Sequence, residues 1–463
     1  MIRIIPDSYT EYYSGKTIIP ASLPNIEGKM GWSAGGEIGK VYSLSDAKTA
    51  RDIFKSGSLL RALEESFNAG ASLIYAQRIG PAGFAEIVLN DASAAPSIKI
   101  IAAEPGSYAN AYEVDITEDG ADVILSLLDG NSDDEINISA ASLAALVEAI
   151  NTSQSLVRAE ILGSQLPAAI SSTLLTGGTD GKILSNGDYI GGLELFESQP
   201  EINWVHCVGA DTPALWVAIT THCDYMINEN LSERFAILDP PRFIPLIAGK
   251  PTLNEIQDYV DLLCGMTATF SNRNAIIVAG EGVFMGSDGS EYSNTLTATI
   301  SGILASNPLQ KSLIGENLST VIRLIPEFSP AQQAQFIGAK LNFGRLEPGV
   351  GYIAGHSLTL APLGDTYNRI EKLRAIYYAG KQTRAAAFPH LGKPNDSGGQ
   401  GLTLLEADLR RPLDLMVKNG QIDNYDILVE SDETMRALGE VQVSLSVNSM
   451  KAMEIILSKI TLD

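Results

Sequence analysis

The segment that decides the fold begins with Asn203-Trp204-Val205-His206-Cys207-Val208, an apolar run of the length of a buried strand. After it the sequence predicts in turn a helix, a strand, a helix and a strand, at 213–227, 235–238, 253–263 and 275–278. Strands that alternate with helices in this order are typical of a parallel sheet with helical crossovers. The sequence therefore predicts a central α/β sheet.

Upstream of this sheet, residues 1–30 contain Pro, Tyr and Gly and two short β-like patches, with no helical period. This part is predicted to be an extended N-terminal arm without a core of its own. The next residues have apolar side chains at helical spacing, namely Leu59, Leu60, Leu63 and Phe67, and then a predicted strand at 71–79. We expect residues 31–90 and 183–350 to form the central domain. The order of elements in 280–350 stays open beyond a helix near 330–341.

Residues 91–182 differ from their surroundings in pattern and in charge. Short alternating runs, separated by turn residues, surround one apolar helix over 141–150, which predicts a β-rich domain inserted into the central one. This segment has fourteen acidic and three basic residues, a net charge of −11 in about a fifth of the chain. So acidic a surface favours contact with water, and we expect this domain on the outside.

The last segment, 351–463, is predicted to be a C-terminal α+β domain. Its pattern indicates helices from about residue 367 and over 402–418, and then a strand with alternating valines and leucine, Val441, Val443, Leu445 and Val447. A further strand runs almost to the terminal Asp463, and another lies at the start of the chain. Neither terminal strand has a predicted partner, and free strand edges invite pairing with another chain.

Charge and composition exclude several classes of function. The 463 residues include 32 basic and 55 acidic side chains, a formal net charge of −23, which disfavours direct binding to nucleic acid or to an anionic membrane. The cysteines, Cys207, Cys223 and Cys264, are odd in number and imply no disulfide framework. No apolar run approaches the length of a membrane span, so we expect no membrane insertion and synthesis in the cytoplasm.

Two stretches resemble catalytic motifs. Gly31-Trp32-Ser33-Ala34-Gly35 fits the G-x-S-x-G pattern of a hydrolase serine, but residues 25–30 look too polar for the strand that should precede it, and the glycines at 35, 36 and 39 would spoil the helix that should follow. Residues 176–182 approach a phosphate-binding loop and lack its first glycine and its final hydroxyl. We interpret the first as a turn and the second as a loop between domains.

The sequence evidence for metal-binding or ligand-binding residues is also weak. The acidic stretch 129–135 has calcium-like oxygen spacing without the required glycine, which leaves weak calcium binding open. The pairs His206-Cys207 and His222-Cys223 lack a partnering motif, and adjacent residues on a strand point to opposite faces, so we interpret these cysteines as core residues. Asp239 at the end of a strand is interpreted as part of a turn. The sequence thus predicts no catalytic residue, no metal site and no cofactor.

One charged region differs from the rest. Residues 361–420 contain nine basic and six acidic residues, a net charge of +3 in a strongly acidic chain. A solvated helical face is the ordinary explanation for mixed charge, and a docking surface for an acidic partner is the alternative.

The order of these features resembles the contractile tail sheath proteins of bacteriophages and related contractile injection systems. The resemblance is carried by the residues 31–47, 54–71, 102–110, 175–181, 235–241 and 419–429. It implies a structural subunit that polymerises as stacked hexameric rings around an inner tail tube and contracts to drive the tube through a cell envelope, without enzymatic activity. It also implies baseplate and tail terminator proteins as partners, and a place in a virion tail or injection particle.

The resemblance implies roles for two groups of residues. The terminal strands would pair with neighbouring subunits, and their residues are Ile2, Arg3, Ile4, Ile5, Glu454, Ile455, Ile456, Leu457, Ser458, Lys459, Ile460, Thr461 and Leu462. Basic residues of the helix over 367–384 would face the tube, and these are Arg369, Lys372, Arg374, Lys381 and Arg384. Two alternatives remain at this point: an α/β enzyme, hydrolase-like or nucleotide-binding, built on the sheet of 183–280, and a surface-layer or capsid-type lattice protein.

Overall fold

A computed structural model describes residues 25–120, 122–132, 134–246, 251–287, 289–394, 399–450 and 452. Its first elements are β1 (Glu27–Gly31), β2 (Val41–Leu44), α1 (Ala47–Phe54), α2 (Ser58–Asn68) and β3 (Ile74–Arg78). All five residues of β1 are buried, and β1 pairs in parallel with β3. The prediction that residues 1–30 are an arm without a core is therefore wrong for 27–30, because these residues are inside a sheet.

The inserted domain consists of β4 (Glu86–Asn90), β5 (Pro96–Ala102), β6 (Tyr112–Asp119), β7 (Asp122–Asp129), β8 (Asp134–Ala140), α3 (Leu143–Ser153), β9 (Val157–Ile161) and β10 (Ile170–Leu174). The strands form two antiparallel sheets, in the orders β10-β6-β7-β8 and β4-β5-β9. They enclose a separate apolar core with α3, whose first turn is capped by Ser142. Because β4 pairs with β5, this domain begins before residue 91.

A helix that the sequence did not predict, α4 (Asn186–Phe196), precedes the segment that starts at Asn203. That segment folds as expected, into β11 (Trp204–Cys207), α5 (Pro213–Asn228), β12 (Phe235–Leu238), α6 (Leu253–Ala268) and β13 (Ala275–Ala279). The parallel sheet is confirmed, because β1, β11, β12 and β13 pair in parallel in that order. Local signals start the helices: a capping box of Ser185 and Asp188 begins α4, and one of Thr252 and Glu255 begins α6.

The sequence left the order of elements in 280–350 open. The structure has seven elements among the described residues between 281 and 354. They are β14 (Glu281–Met285), β15 (Glu291–Thr295), α7 (Thr297–Ser306), β16 (Arg323–Ile325), α8 (Pro330–Gly338), β17 (Asn342–Glu347) and β18 (Gly351–Ala354). β15, β14 and β16 form a small antiparallel sheet, whereas β17 and β18 extend the central one. The predicted boundary between 350 and 351 therefore falls inside a hairpin.

The central sheet is the middle of three layers. Its strand order is β18-β17-β13-β12-β11-β1-β3-β2. Residues of α4, α5, α6 and α8 form the apolar core on one face, and residues of α1, α2 and α7 form the core on the other. Strand residues alternate between these cores, as Phe235 and Ile237 do against Ala236 and Leu238. A parallel sheet covered on both faces explains the continuous apolar runs of its strands.

The C-terminal part contains α9 (Ile370–Ala387), α10 (Gln400–Lys418), β19 (Asn424–Glu430), α11 (Glu433–Leu438) and β20 (Gln442–Asn448). β19 and β20 form a two-stranded antiparallel sheet, which shares a small apolar core with α9 and α10. Ile370 and Leu373 of α9 also join the core of the central domain. Among the described residues, no helix is both long enough and apolar enough to cross a membrane.

Arg78, at the end of β3, holds the junction between the central and inserted domains. Its side chain is fully buried, and its guanidinium donates hydrogen bonds to the carbonyl oxygens of Gly36 (3.1 Å), Pro105 and Asp180 (3.3 Å). Pro105 and Asp180 lie in the two chain segments that connect the domains. Gly106 is needed beside them, since a Cβ there would lie 1.8 Å from the carbonyl oxygen of Ala34.

Candidate functional site

The serine motif does not form a reactive site. Contrary to expectation, a buried strand, β1, does precede it, but no helix follows before α1 begins at Ala47. The Ser33 side chain is fully buried, and its hydroxyl donates to the carbonyl oxygen of Gly35 at 2.8 Å. A nucleophilic serine is exposed at a sharp strand-to-helix turn. The interpretation of 31–35 as a turn is thus supported, although one of the two reasons for it was wrong.

The stretch 176–182 connects domains, as predicted. Thr176 exchanges backbone hydrogen bonds with Glu86 at the start of β4, and Thr179 pairs with Gly83. Asp180 accepts a hydrogen bond from the backbone N–H of Ser107 at 2.6 Å. These contacts hold the loop against the entrance of the inserted domain.

The cysteines lie where the sequence places them. Cys207 and Cys223 are buried in the core on one face of the central sheet, and burial raises the pKa of both thiols. His206 points to the other face, as alternation on a strand requires. Within the described part of the chain, no group of three or more His, Cys, Asp or Glu side chains could hold a metal ion. Asp133 of the acidic stretch 129–135 lies outside the described residues.

The most unusual site is a group of charged residues inside the central domain, here called the ionic cluster: Glu27, Lys29, Glu65, His206 and Asp239. Lys29 is fully buried, and its ammonium group donates to Ser66 Oγ at 2.9 Å and to His206 Nδ1 at 3.1 Å, and it lies 3.3 Å from Glu27 Oε2. Glu27 also accepts a hydrogen bond from Ser301 of α7. A buried charge is tolerated only when it is paired and hydrogen-bonded, and Lys29 meets both conditions.

His206 continues the ionic cluster to Asp239. Its Nε2 lies 3.2 Å from Asp239 Oδ1, and because Lys29 can only donate to Nδ1, the ring proton is on Nε2. Burial, together with the nearby Lys29, lowers the pKa of His206. Burial alone would raise the pKa of Asp239, but the electrostatic effect of the adjacent His206 and the hydrogen bond from the Gly209 N–H (2.7 Å) hold it well below its usual range. Asp239 is therefore more than a turn residue.

Glu65 of α2 completes the ionic cluster as an uncharged member. It is 2% exposed, and its Oε1 accepts a hydrogen bond from Asn294 Nδ2 at 2.8 Å. Burial raises the pKa of Glu65 to about 8, against the lowering effects of Asn294 and Lys29. The carboxyl group is therefore protonated at neutral pH in the folded chain.

The replacement Glu65→Gln is expected to flatten the dependence of stability on pH between pH 5 and 8. The pKa of Glu65 is about 8 in the folded chain and 4.5 as a free side chain, so the folded state binds more protons and loses stability as pH rises. The loss between pH 5 and 8 is on the order of 3 kcal/mol. Urea unfolding of both proteins at pH 5 and at pH 8 measures it.

The matched control is Glu291→Gln, which changes an exposed carboxylate paired with Arg323 at 2.9 Å. This variant is expected to keep the pH dependence of the natural chain. If Glu65→Gln and the natural chain lose the same stability from pH 5 to pH 8, the assignment of a protonated Glu65 fails.

The structure places the predicted tube-facing residues in different environments. Arg374 is 3% exposed and donates to groups of its own chain, so it is unavailable at a surface, which corrects that part of the prediction. Arg369 lies 2.8 Å from His356 Nδ1, and Arg384 forms an ion pair with Glu233. Lys372 and Lys381 are half-buried, and burial lowers the pKa of Lys381 to about 8.

The sheet of β19 and β20 has one face open to solvent. Ile427 of β19 is buried against the helices, whereas Leu428 and Val443 are 52% and 39% exposed. Within the described ranges, neither outer edge of this pair has a partner strand. A two-stranded sheet alone is marginally stable, and its free edges are templates for further strands. The predicted terminal strands, 2–5 and 454–462, lie outside the described residues.

Comparison with known proteins gives no match by sequence, either to a family model or to a curated protein. By structure, the chain matches a sheath tail protein from Desulfitobacterium hafniense at 16% identity, over 95% of this chain and 100% of that one, with a TM-score of 0.67. A sheath tail protein from Listeria innocua matches at 13% identity, over 92% and 95%, with a TM-score of 0.65. This chain has the sheath tail protein fold.

The same fold occurs in an assembled particle. The helical sheath of the anti-feeding prophage, in its contracted state, matches the chain at 12% identity over 100% of both chains, with a TM-score of 0.57. The predicted fold class, α/β and α+β with several domains, is confirmed, as is the resemblance to sheath proteins. Because the match spans the whole chain, the sheath fold includes the inserted and the C-terminal domains.

Within this sheath fold, the ionic cluster is the site that sequence reasoning missed. Glu27 and Lys29 made β1 look like part of a polar arm. A signal was present, since both charges alternate with Ile26, Gly28 and Met30 at the period of a strand. What the pattern did not reveal was that the charged positions face the interior.

Proposed function

We propose that the chain is the structural subunit of a contractile sheath, which polymerises as stacked hexameric rings around an inner tube and shortens to drive that tube through a cell envelope. The full-length structural match to sheaths in the contracted state carries this proposal. We further propose that the subunit is not an enzyme, and the buried hydroxyl of Ser33 supports this.

The proposed polymer is held together by strands exchanged between subunits. The segments 2–5 and 454–462 would add to the free edges of the β19–β20 sheet in neighbouring subunits. That sheet supports the proposal because each added strand would satisfy a row of backbone N–H and C=O groups at an edge that has no partner among the described residues. Such a connection lets subunits move relative to one another without separating.

The proposed surroundings of the polymer follow from the same assignment. The inner tail tube protein would lie inside the rings, and baseplate and tail terminator proteins would close the two ends. The particle would be a phage tail or an injection device. A structure of the anti-feeding prophage baseplate matches this chain at 11% identity with a TM-score of 0.56, which supports a partner of that kind.

Deletion of residues 454–463 is expected to abolish long polymers. The natural chain should sediment as large assemblies and show tubes with helical striations in negative-stain images, whereas the truncated chain should stay as small particles. The change Lys459→Ser, which keeps the segment, is the matched control and should give tubes. Normal tubes from the truncated chain would exclude the C-terminal strand, and the absence of polymers from the natural chain would exclude the sheath function.

The tube-facing surface also remains a proposal, now without the buried Arg374 and with the half-buried Arg369, Lys372, Lys381 and Arg384. The change Lys372→Glu is expected to weaken assembly on the tube by about fivefold at low salt and less at high salt, because added ions screen exposed charges. Exposed Lys48, which pairs with Asp52, gives the control Lys48→Glu. Equal assembly of the two variants on purified tubes at low salt would remove α9 from the tube surface.

A further inference from the structure

The first described residue, Asn25, is bound to the end of a distant helix. Its side-chain Nδ2 donates hydrogen bonds to the carbonyl oxygens of Ala305 (2.9 Å) and Asn307 (3.1 Å), at the C-terminus of α7. The last carbonyl groups of a helix have no partner within the helix and need donors from elsewhere. Asn25 supplies one of these donors from a part of the chain 280 residues away.

Arg374 of α9 supplies the others. Its Nη2 donates to the carbonyl oxygens of Leu304 (2.9 Å) and Asn307 (3.0 Å), and to Oδ1 of Asn25 at 2.6 Å. Burial lowers the pKa of Arg374 to about 10, so the guanidinium still carries its charge at neutral pH. One amide and one guanidinium therefore cap α7 together and bind to each other. This pair is called the arm anchor below.

The residue that follows Asn25 of the arm anchor, Ile26, is also bound to the central sheet. The backbone N–H of Ile26 donates to Asn203 Oδ1 at 3.0 Å, and the backbone N–H of Asn203 donates to the Ile26 carbonyl at 2.8 Å. Asn203 lies just before β11, and Ile26 lies just before β1. The point where residues 1–24 join the described structure is thus tied to the central sheet, to α7 and to α9.

We propose that the arm anchor transmits load between subunits of the sheath. This inference rests on the proposed function, in which the N-terminal strand pairs with a neighbouring subunit. A pull on that strand then reaches α7 and α9 through Asn25 and Arg374, and does not act on β1 alone. Because the base of the arm is already fixed, the arm has less conformational freedom to lose when it pairs with a neighbouring subunit. The smaller entropy cost favours the polymer.

The test compares Asn25→Ala with three other forms of the full chain. Lys311→Ala is the matched control, because Lys311 binds Asn307 and Glu316 at the same junction without touching Asn25 or Arg374. Arg374→Lys keeps the charge and loses the planar fork. Deletion of residues 2–5 removes the proposed strand itself. Each form is measured as a free subunit by urea unfolding and hydrogen exchange, and as a preformed polymer by its dissociation in urea.

For Asn25→Ala we expect hydrogen exchange at the Ile26 amide to be about tenfold faster than in the natural chain. The urea midpoint for unfolding of the free subunit is expected to equal that of the Lys311→Ala control. Polymers of Asn25→Ala are expected to dissociate at a clearly lower urea concentration than polymers of Lys311→Ala. Polymers of Arg374→Lys are expected to dissociate at a similarly low urea concentration.

Two results separate the possible failures. If deletion of residues 2–5 weakens the polymers and Asn25→Ala does not, the arm anchor carries no load and the inference is overturned, whereas the proposed function stands. If deletion of residues 2–5 leaves the polymers unchanged, the N-terminal strand exchange of the proposed function is itself wrong, and the inference falls with it.

Discussion

The change Lys29→Met is expected to lower the free energy of unfolding by about 3–5 kcal/mol, one of the largest effects of any single substitution in this chain. Lys29 is fully buried between β11 and α2, and its ammonium group faces Glu27, Ser66 and His206. Methionine matches the length of the side chain and removes the charge and three donors. Glu27 would then be a buried carboxylate without its counter-ion.

Urea unfolding at pH 7 measures the effect, and Lys48→Met is the matched control. Lys48 is exposed and pairs with Asp52 at 2.9 Å, so its loss should change stability by less than about 1 kcal/mol. The double change Glu27→Gln with Lys29→Met should recover part of the loss, because Glu27 would then no longer leave a buried carboxylate without its counter-ion. A loss for Lys29→Met as small as that for Lys48→Met would show that the ionic cluster contributes nothing to stability.

The second large effect is expected at Arg78, where Arg78→Met should loosen the connection between the central and inserted domains. Three carbonyl oxygens, of Gly36, Pro105 and Asp180, would lose their buried donor. An unsatisfied buried group costs about 1–3 kcal/mol, so the loss for three carbonyl groups is at least about 3 kcal/mol. The inserted domain has its own apolar core, and we expect it to stay folded while its connecting segments open.

Limited digestion with trypsin reports this opening directly. Lys182 lies in the second connecting segment, and cleavage after it is expected to be at least about tenfold faster in Arg78→Met. Arg158→Met is the control, since Arg158 lies on the surface of the inserted domain against Phe84. If both variants are cleaved after Lys182 at the same rate, Arg78 does not hold the junction.

Lys29 and Arg78 stabilise different parts of the sheath fold. Lys29 acts within the central domain, where a charged residue replaces the apolar one that a buried strand normally carries. Arg78 acts between domains, where one guanidinium satisfies carbonyl groups from three separate segments. In both cases the donor is a long side chain that serves acceptors far apart in the sequence.

The sequence by itself determined the central α/β sheet, most of its helices and the acidic β-rich segment inserted into it. These depend on neighbouring residues: apolar runs such as 235–238 predict buried strands, and capping residues such as Ser142 begin helices over a few positions. The resemblance to sheath proteins was also visible in the sequence, because it rests on short motifs of neighbouring residues.

Only the tertiary structure decided the positions of the charged residues. Glu27 and Lys29 look solvent-exposed in the sequence, and they are buried because His206, 177 residues from Lys29, and Ser66 complete their bonding. Arg374 looked like a surface cation, yet it caps α7 beside Asn25, 349 residues away. A local pattern shows which residues prefer water, whereas burial of a charge depends on partners that only the folded chain brings together.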